Sequence, residues 1–271
     1  MFKTDMITAS EGFQDFIAGV PPVLMEGRRI LITGAARGLG LAFASCIARA
    51  GGTVLMADIL SDEVHARAQI LSSDGLDVRA IAVDLRDPES IDVCAKAAVA
   101  AVGGLDGLVN NAAITNSGGC DAHALEIAAW DRVMDVNVRG TWLMSRACHR
   151  ALAVCGRGAI VNLASDTALW GATNLLAYVA SKGAVISMTR SLAREWGADG
   201  VTVNAVAPGL TLVEATEYVP PDRHRQYLEG RAISREQQAV DVCGTVLFAL
   251  SGLSRFVTGQ LLTVNGGYVM H

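Results

Sequence analysis

Short apolar runs that alternate with helix-length segments constrain this chain more than any other feature. Ile30–Thr33, Val54–Ala57, Val78–Val83, Leu105–Val109, Ala159–Leu163, Val201–Val206 and Leu261–Val264 read as strands. Most are apolar at nearly every position rather than at every second one. Such a strand has to be covered on both faces. The segments between them have helical length: Leu39–Arg49, Asp62–Leu71, Asp87-Pro88-Glu89 onward to Val102, Ala129–Val154, the stretch from Tyr178 to Trp196, and Val240–Leu250. A helix between consecutive strands is the crossover that joins parallel neighbours. The expected fold is therefore α/β: a doubly wound parallel sheet of about seven strands, with helices on both faces. It occupies 28–271 as a single domain.

Two stretches stand outside that rhythm. Residues 1–27 read as an N-terminal extension. Phe13, Phe16 and Ile17 give it a short apolar face, and Pro21-Pro22 stops any helix. Docking on the main body, docking on a neighbouring subunit and absence of fixed structure all stay open for it. Residues 210–238 are irregular and hold Pro220-Pro221 with Arg223, Arg225, Arg231 and Arg235. A break of that length in a compact domain is expected to be a lid or substrate loop.

The chain has 271 residues, 51% of them hydrophobic, with a net charge of -5. The apolar share excludes disorder, and the negative balance argues against a nucleic-acid or anionic-membrane surface. No run approaches the ~18–20 apolar residues of a spanning helix. No signal peptide is expected, so the protein is expected in the cytoplasm. Cys46, Cys94, Cys120, Cys148, Cys155 and Cys243 form no C-x-x-C pair. They are expected to be reduced and mostly buried. The histidines show no ligand spacing, so no metal site is expected.

Thr33-Gly-Ala-Ala-Arg-Gly-Leu-Gly40 lies between the first strand and the first helix. Gly34, Gly38 and Gly40 there would let backbone N–H groups approach a pyrophosphate at a helix N-terminus. Arg37 and Leu39 lie inside the same loop. Asp58 ends the second strand, where a carboxylate can accept hydrogen bonds from adenosine ribose hydroxyls and would repel a 2′-phosphate. It favours NAD over NADP, and Arg37 is the counter-signal. Asp84 and Leu85 close the third strand, beside the expected adenine position. Asn111 and Ala112 close the fourth with small and amide groups.

Ile160 to Lys182 forms the second constellation. Ser165 ends the fifth strand, while Tyr178 and Lys182, four residues apart, share one helix face. A hydroxyl, a phenol and an ammonium thus converge, which is a proton-handling arrangement. A free phenol has a pKa near ~10, so work at neutral pH needs a drop of ~2–3 units. One cation at ~4 Å supplies about 4 kcal/mol at an effective dielectric of ~20. By that arithmetic Lys182 is roughly sufficient.

These motifs, with Asn137, Pro208-Gly209 and the terminal Thr258-Gly-Gln and Val264-Asn-Gly-Gly267, resemble the short-chain dehydrogenase/reductase family over about 28–271. Ala113 departs from the pattern, standing where a glycine is usual. The resemblance implies a Rossmann-type sheet, a nicotinamide cofactor, and a homotetramer or homodimer built on helices near 129–154 and 178–196. It implies Tyr178 as general acid/base, Ser165 as anchor of the reacting oxygen, and Lys182 as a ligand of the nicotinamide ribose. Asn137 would hold a water that relays protons, while Pro208, Gly209 and Thr211 join the cofactor residues.

The expected function is NAD-dependent hydride transfer to or from a secondary alcohol: a polyol, a sugar or an aromatic alcohol. Its pocket would use Asp166, Thr167, Trp170, Asn174, Leu210, Thr211 and parts of 212–235. The alternatives are an NADPH-dependent 3-oxoacyl reductase and a non-catalytic dinucleotide-binding regulator.

Overall fold

The computed structural model describes residues 11–21 and 23–270. Helix α1 (Glu11–Gly19) precedes a regular alternation of β1 (Arg29–Thr33), α2 (Gly38–Arg49), β2 (Thr53–Asp58), α3 (Ser61–Ser73), β3 (Val78–Ala82), α4 (Pro88–Val102) and β4 (Gly107–Asn110). Next come α5 (Ile127–Met134), a wide π-helical turn at Asp135–Gly140, and α6 (Thr141–Val154). The chain continues with β5 (Ala159–Leu163), the one-turn α7 (Thr167–Trp170), α8 (Leu176–Trp196) and β6 (Thr202–Pro208). Last are β7 (Thr211–Leu212), α9 (Pro221–Gly230), β8 (Gln237–Gln238), α10 (Ala239–Leu250) and β9 (Leu261–Val264).

Seven strands form one parallel sheet in the order β3-β2-β1-β4-β5-β6-β9. The winding direction reverses between β1 and β4. At such a point the two flanking crossovers leave in opposite directions and open a crevice at the strands' carboxyl ends. Alternate residues of each strand serve the two layers. Ile30, Ile32, Val54, Met56 and Val109 pack with α2 and α10. Leu31, Leu55, Leu108 and Ile160 pack with α4 and α6. The doubly covered sheet expected from apolar runs is what forms.

Three regions differ from the sequence pattern. The extension docks on its own main body: Phe13 is fully buried, and Phe16 lies against Gly244 of α10. Residues 1–10 and Pro22 lie outside the described residues. The continuous helix expected over 129–154 is interrupted by the turn at 135–140. The turn ends at Gly140, against Leu85: a Cβ there would sit 2.9 Å from the Leu85 carbonyl oxygen and 2.8 Å from the Leu85 Cβ, so the close approach requires glycine. Residues 210–238 are not irregular throughout. β7 and β8 pair in parallel, Thr211 with Gln237 and Leu212 with Gln238, and α9 spans most of the interval.

The opposite end of the sheet is pinned by one buried carboxylate. Asp106 accepts from Arg29 Nε at 2.7 Å, from the Arg29 backbone N–H at 3.0 Å and from Arg157 Nε at 2.9 Å. It thereby joins the starts of β1, β4 and β5. Burial pushes the Asp106 carboxyl up, but the hydrogen bonds from Arg29 and Arg157 outweigh it and leave the pKa below the usual carboxylate value. A depressed carboxylate pKa contributes stability above the unfolded value, and this is lost as pH falls through the folded one. Asp106→Asn should therefore lower unfolding stability by about 3 kcal/mol at neutral pH. In urea titrations the gap between variant and wild type should narrow as the pH is taken below 4, about the unfolded carboxylate value. A gap that stays constant with pH would contradict this account.

Candidate active site

The crevice at the β1/β4 reversal is a cleft of about 610 Å³. Its walls include Gly34, Arg37, Gly38, Leu39, Asp58, Asp84, Leu85, Asn111, Ala112, Ser165, Tyr178, Lys182, Pro208, Gly209 and Thr211. Two site residues from the sequence lie behind the wall instead, Gly40 and Asn137.

Gly40 is a packing residue. A Cβ there would sit 2.0 Å from the Gly34 carbonyl oxygen and 2.6 Å from Asn111 Nδ2. Gly34 has φ +66, and its own Cβ would meet the Ala112 Cα at 2.7 Å. Asn111 seals this junction by donating to the carbonyls of Thr33 (3.1 Å) and Gly34 (2.9 Å). Its amide is thus spent on the glycine turn. Asn110 turns inward, donating to Ser145 Oγ and Asn162 Oδ1, both at 2.8 Å.

Helix α2 starts at Gly38 (φ +58) with no side-chain cap from Arg37. Its first N–H groups have no intrahelical partner, so a positive helix end faces the cleft. This fits a pyrophosphate-bearing dinucleotide. Asp58 is buried, its oxygens accepting from the N–H groups of Ala36 and Leu60, both at 3.0 Å. Asp84 pairs with Arg86 at 2.6 Å, and the Arg86 hydrogen bonds hold its carboxyl below the ordinary value.

At the other end, Ser165 accepts from the Thr167 hydroxyl at 2.9 Å and hydrogen-bonds the Tyr178 phenol. Lys182 is buried, lies 5.6 Å from the Tyr178 ring centroid, and donates to the Leu163 carbonyl at 2.6 Å. The three groups share one flank of α8 and β5. Their electrostatics differ from the sequence arithmetic. Burial raises the Tyr178 phenol above its ordinary pKa, Ser165 opposes this, and the neighbouring Tyr218 and Asp166 add to the rise. Burial also brings Lys182 down to about 8. Desolvation thus outweighs the attraction assumed for one cation at ~4 Å. The ammonium alone does not ionise the phenol in the protein by itself.

Asn137 lies in the π-helical turn. Its Oδ1 accepts from the Ile114 N–H at 2.7 Å, and its Nδ2 donates to the Ile114 carbonyl and Ser181 Oγ, both at 3.1 Å. Thr211 is buried, with its hydroxyl donating to the Gly209 carbonyl at 3.0 Å.

Several expected pocket residues turn elsewhere. Asp166 is fully buried behind Gly209, and Tyr227 donates to it at 2.7 Å. Trp170 packs edge-on to Tyr227 and Tyr268. Asn174 is exposed, with φ +58, while Thr167 and Leu210 do not line the cleft. The arginines of 210–238 are mostly engaged: Arg231 is buried, Arg235 pairs with Asp241, Arg225 with Asp222, and Arg223 covers Trp170. Glu214, Ala215 and Tyr218, from the expected 212–235 stretch, close the cleft together with Thr115. Tyr218 donates its hydroxyl to the Thr115 carbonyl, and Thr115 donates to the Ala215 carbonyl at 3.3 Å. Thr115 was not singled out by the sequence, since no motif marks it and its partners lie about 100 positions away.

Comparison with known proteins agrees with this geometry. A family model described as enoyl-(acyl carrier protein) reductase matches residues 34–269. The 2-(S)-hydroxypropyl-CoM dehydrogenase 3 of Xanthobacter autotrophicus is 35% identical over 249 residues, covering 90% of this chain and 97% of that protein. The 3-oxoacyl-(acyl-carrier-protein) reductase of Staphylococcus aureus is 34% identical over 241 residues, covering 89% and 97%. Gluconate 5-dehydrogenase from Burkholderia cenocepacia, solved with NADP and tartrate, superposes with a TM-score of 0.87 at 29% identity over 92% of this chain and 97% of that one. Fold, cleft and relatives together define an oxidoreductase acting on CH–OH groups. More narrowly, the chain belongs to the short-chain dehydrogenase/reductase family.

The packing at Gly40 makes one expectation sharp. Gly40→Ala must displace the Gly34 backbone, so dinucleotide affinity, read by quenching of tryptophan fluorescence, should fall at least about tenfold. Affinity equal to wild type would mean that the turn is free to relax.

Proposed function

We propose that this protein is an NAD-dependent dehydrogenase/ketoreductase that moves a hydride to or from the carbinol carbon of a secondary alcohol. The observation that carries the reading is the convergence of Ser165, Tyr178 and Lys182 in the cleft that the glycine loop enters. A bound nicotinamide supplies the hydride acceptor in oxidation and the donor in reduction. Ser165 holds the reacting oxygen by hydrogen bonding. Tyr178 takes the alcohol proton in oxidation and returns it in reduction. Lys182, kept beside the phenol by the Leu163 carbonyl, offsets part of the burial cost of the phenolate. Its remaining N–H groups suit a ribose. In the proton relay implied at Asn137 the side-chain amide is committed to Ile114 and Ser181, and the main-chain carbonyl, which already accepts from the Thr141 hydroxyl at 2.8 Å, would take the water as a second donor.

The preference for NAD rests on Asp58, an anion on the cleft wall followed by Ile59 and Leu60 rather than by a cation. The second reading, an NADPH-dependent 3-oxoacyl reductase, draws on Arg37 at the cleft and on the Staphylococcus relative. A non-catalytic regulator is disfavoured by the intact Ser165, Tyr178 and Lys182. Residues 210–238 form the substrate side through Thr211 and the 214–218 segment. We place the protein in the cytoplasm; no helix among the described residues is long and apolar enough to cross a membrane.

Turnover of a broad panel of polyols, sugars and aromatic alcohols, with NAD and NADP in parallel, tests the reading. Reduction of NAD by at least one alcohol is expected. The oxidation rate should rise toward alkaline pH, because burial raises the pKa of the Tyr178 base. Tyr178→Phe should bind dinucleotide normally and lose about 10²–10⁴-fold in turnover. Near-normal turnover in that variant would refute the assignment.

We extend the proposal to a homodimer or homotetramer packed on helices near 129–154 and 178–196. There Met134, Val138, Trp142 and Met188 line an open groove, with Trp142 43% exposed. Light scattering should return a multiple of the 28.3 kDa chain mass. Trp142→Glu should shift it toward the single chain, and a monomeric wild type would end this extension.

A further inference from the structure

The buried cluster behind the catalytic serine has no part in proton transfer. Asp166 follows Ser165 directly, and its backbone N–H donates to the Pro208 carbonyl at 3.1 Å. Its carboxylate sits behind Gly209, where a Cβ would come within 3.1 Å of Oδ2. One residue thus touches both the serine turn and the Pro208-Gly209 wall of the cleft.

The carboxylate is fully buried and has one strong tie. Tyr227, itself 3% exposed, donates to Oδ1 at 2.7 Å from the middle of α9. Asn265 and Trp170 lie close to the carboxylate, yet no donor meets Oδ2 with hydrogen-bond geometry. A buried charge this poorly served is costly to keep. Its environment raises the carboxyl to about 6, burial being the main cause.

The rest of the cluster locks Tyr227 in place. Its ring stacks on Tyr268 at 4.3 Å and meets Trp170 edge-on. The Arg231 guanidinium covers its other side at 5.0 Å and donates to the Leu210 carbonyl at 2.7 Å. Outside these contacts α9 is polar and largely exposed. Tyr227 is its one buried residue; at its rim Arg223 covers Trp170 and donates to the Thr173 carbonyl at 3.4 Å, and Gln226 donates to the Tyr268 hydroxyl at 2.7 Å.

We propose that Asp166 and Tyr227 form a clasp that fixes α9 and the 210–238 segment to the serine turn, acting as positioning residues for the substrate side of the cleft. The proposal rests on the reading of Ser165 and Tyr178 as the reacting pair. The clasp carries no proton to substrate. It couples the place of the substrate wall to that of Ser165 and Gly209.

Hydrogen exchange read by mass spectrometry tests the clasp without turnover. Tyr227→Phe keeps the ring stack and removes only the donor, so amides of 221–230 should exchange about ten times faster or more, while those of β1, β4 and β5 keep their rates. Asp166→Asn keeps an acceptor for Tyr227 and should protect α9 nearly as wild type does. Asp166→Ala should match Tyr227→Phe, and the double variant should be no worse than either. With the best alcohol from the panel, Tyr227→Phe should raise KM about tenfold while kcat changes little. Wild-type exchange in Tyr227→Phe, or an α9 as open in Asp166→Asn as in Asp166→Ala, would overturn the clasp. Tyr178→Phe separates the two ideas: it should lower turnover about 10²–10⁴-fold and leave α9 exchange unchanged.

Discussion

The site depends on how closely β1, α2 and β4 approach one another. Gly34 lies against Ala112, and Gly40 lies under the Gly34 carbonyl, with no room for a Cβ at either glycine. Thr33 reinforces the junction, its hydroxyl accepting from the N–H groups of Asn111 (3.1 Å) and Ala112 (3.2 Å). This contact brings the start of α2 to the mouth of the crevice and aims its unpaired N–H groups into it. At the far end of the sheet, Asp106 holds the starts of β1, β4 and β5 together. The crevice is therefore framed by backbone geometry before any reactive side chain enters it.

Within that frame, burial sets the chemistry more than pairwise attraction does. Tyr178, Lys182 and Asp166 are all shifted toward their neutral forms, and desolvation is the first cause in each case. A site poised this way responds strongly to charge, because the low dielectric that opposes ionisation also magnifies any cation brought close. The lysine contributes by position, held against β5 by the Leu163 carbonyl. The serine contributes the one hydrogen bond that favours the ionised phenol.

The side of the cleft formed by 210–238 is built on different principles. The glycine loop relies on backbone packing, whereas 210–238 is held by side chains that reach back to the floor. Tyr218 and Ala215 bond to Thr115 on one side, and Tyr227 reaches Asp166 on the other. Few apolar residues support α9, so its place depends on a handful of polar and aromatic contacts. Walls of this kind can vary in residue type while the cofactor side stays unchanged, in keeping with relatives whose names span several substrates.

Much of this was legible in the sequence. The seven strands follow from nearly continuous apolar runs, because burial on both faces favours apolar residues at most positions. The glycine loop and the Tyr178/Lys182 spacing are local, so chain distance alone reports them. What the sequence left open depends on contacts between distant segments. Asn111 looked suited to a ligand and is spent on the glycine turn. Asp166 looked like a pocket residue and is turned behind Gly209 to a tyrosine 61 positions away. Nothing in the spacing of the arginines of 210–238 sets Arg231 apart, yet it is buried against Tyr227. The close approach of Leu85 to Gly140, at the end of the 135–140 turn, is likewise a contact between distant segments. The sequence by itself determined the layers of the fold and the spacing that puts Tyr178 and Lys182 on one helix face, because periodicity and short spacing are properties of the chain. Only the tertiary structure decided which polar side chains face the cleft and which hold it together, because that choice is made by partners that the chain brings near only when folded.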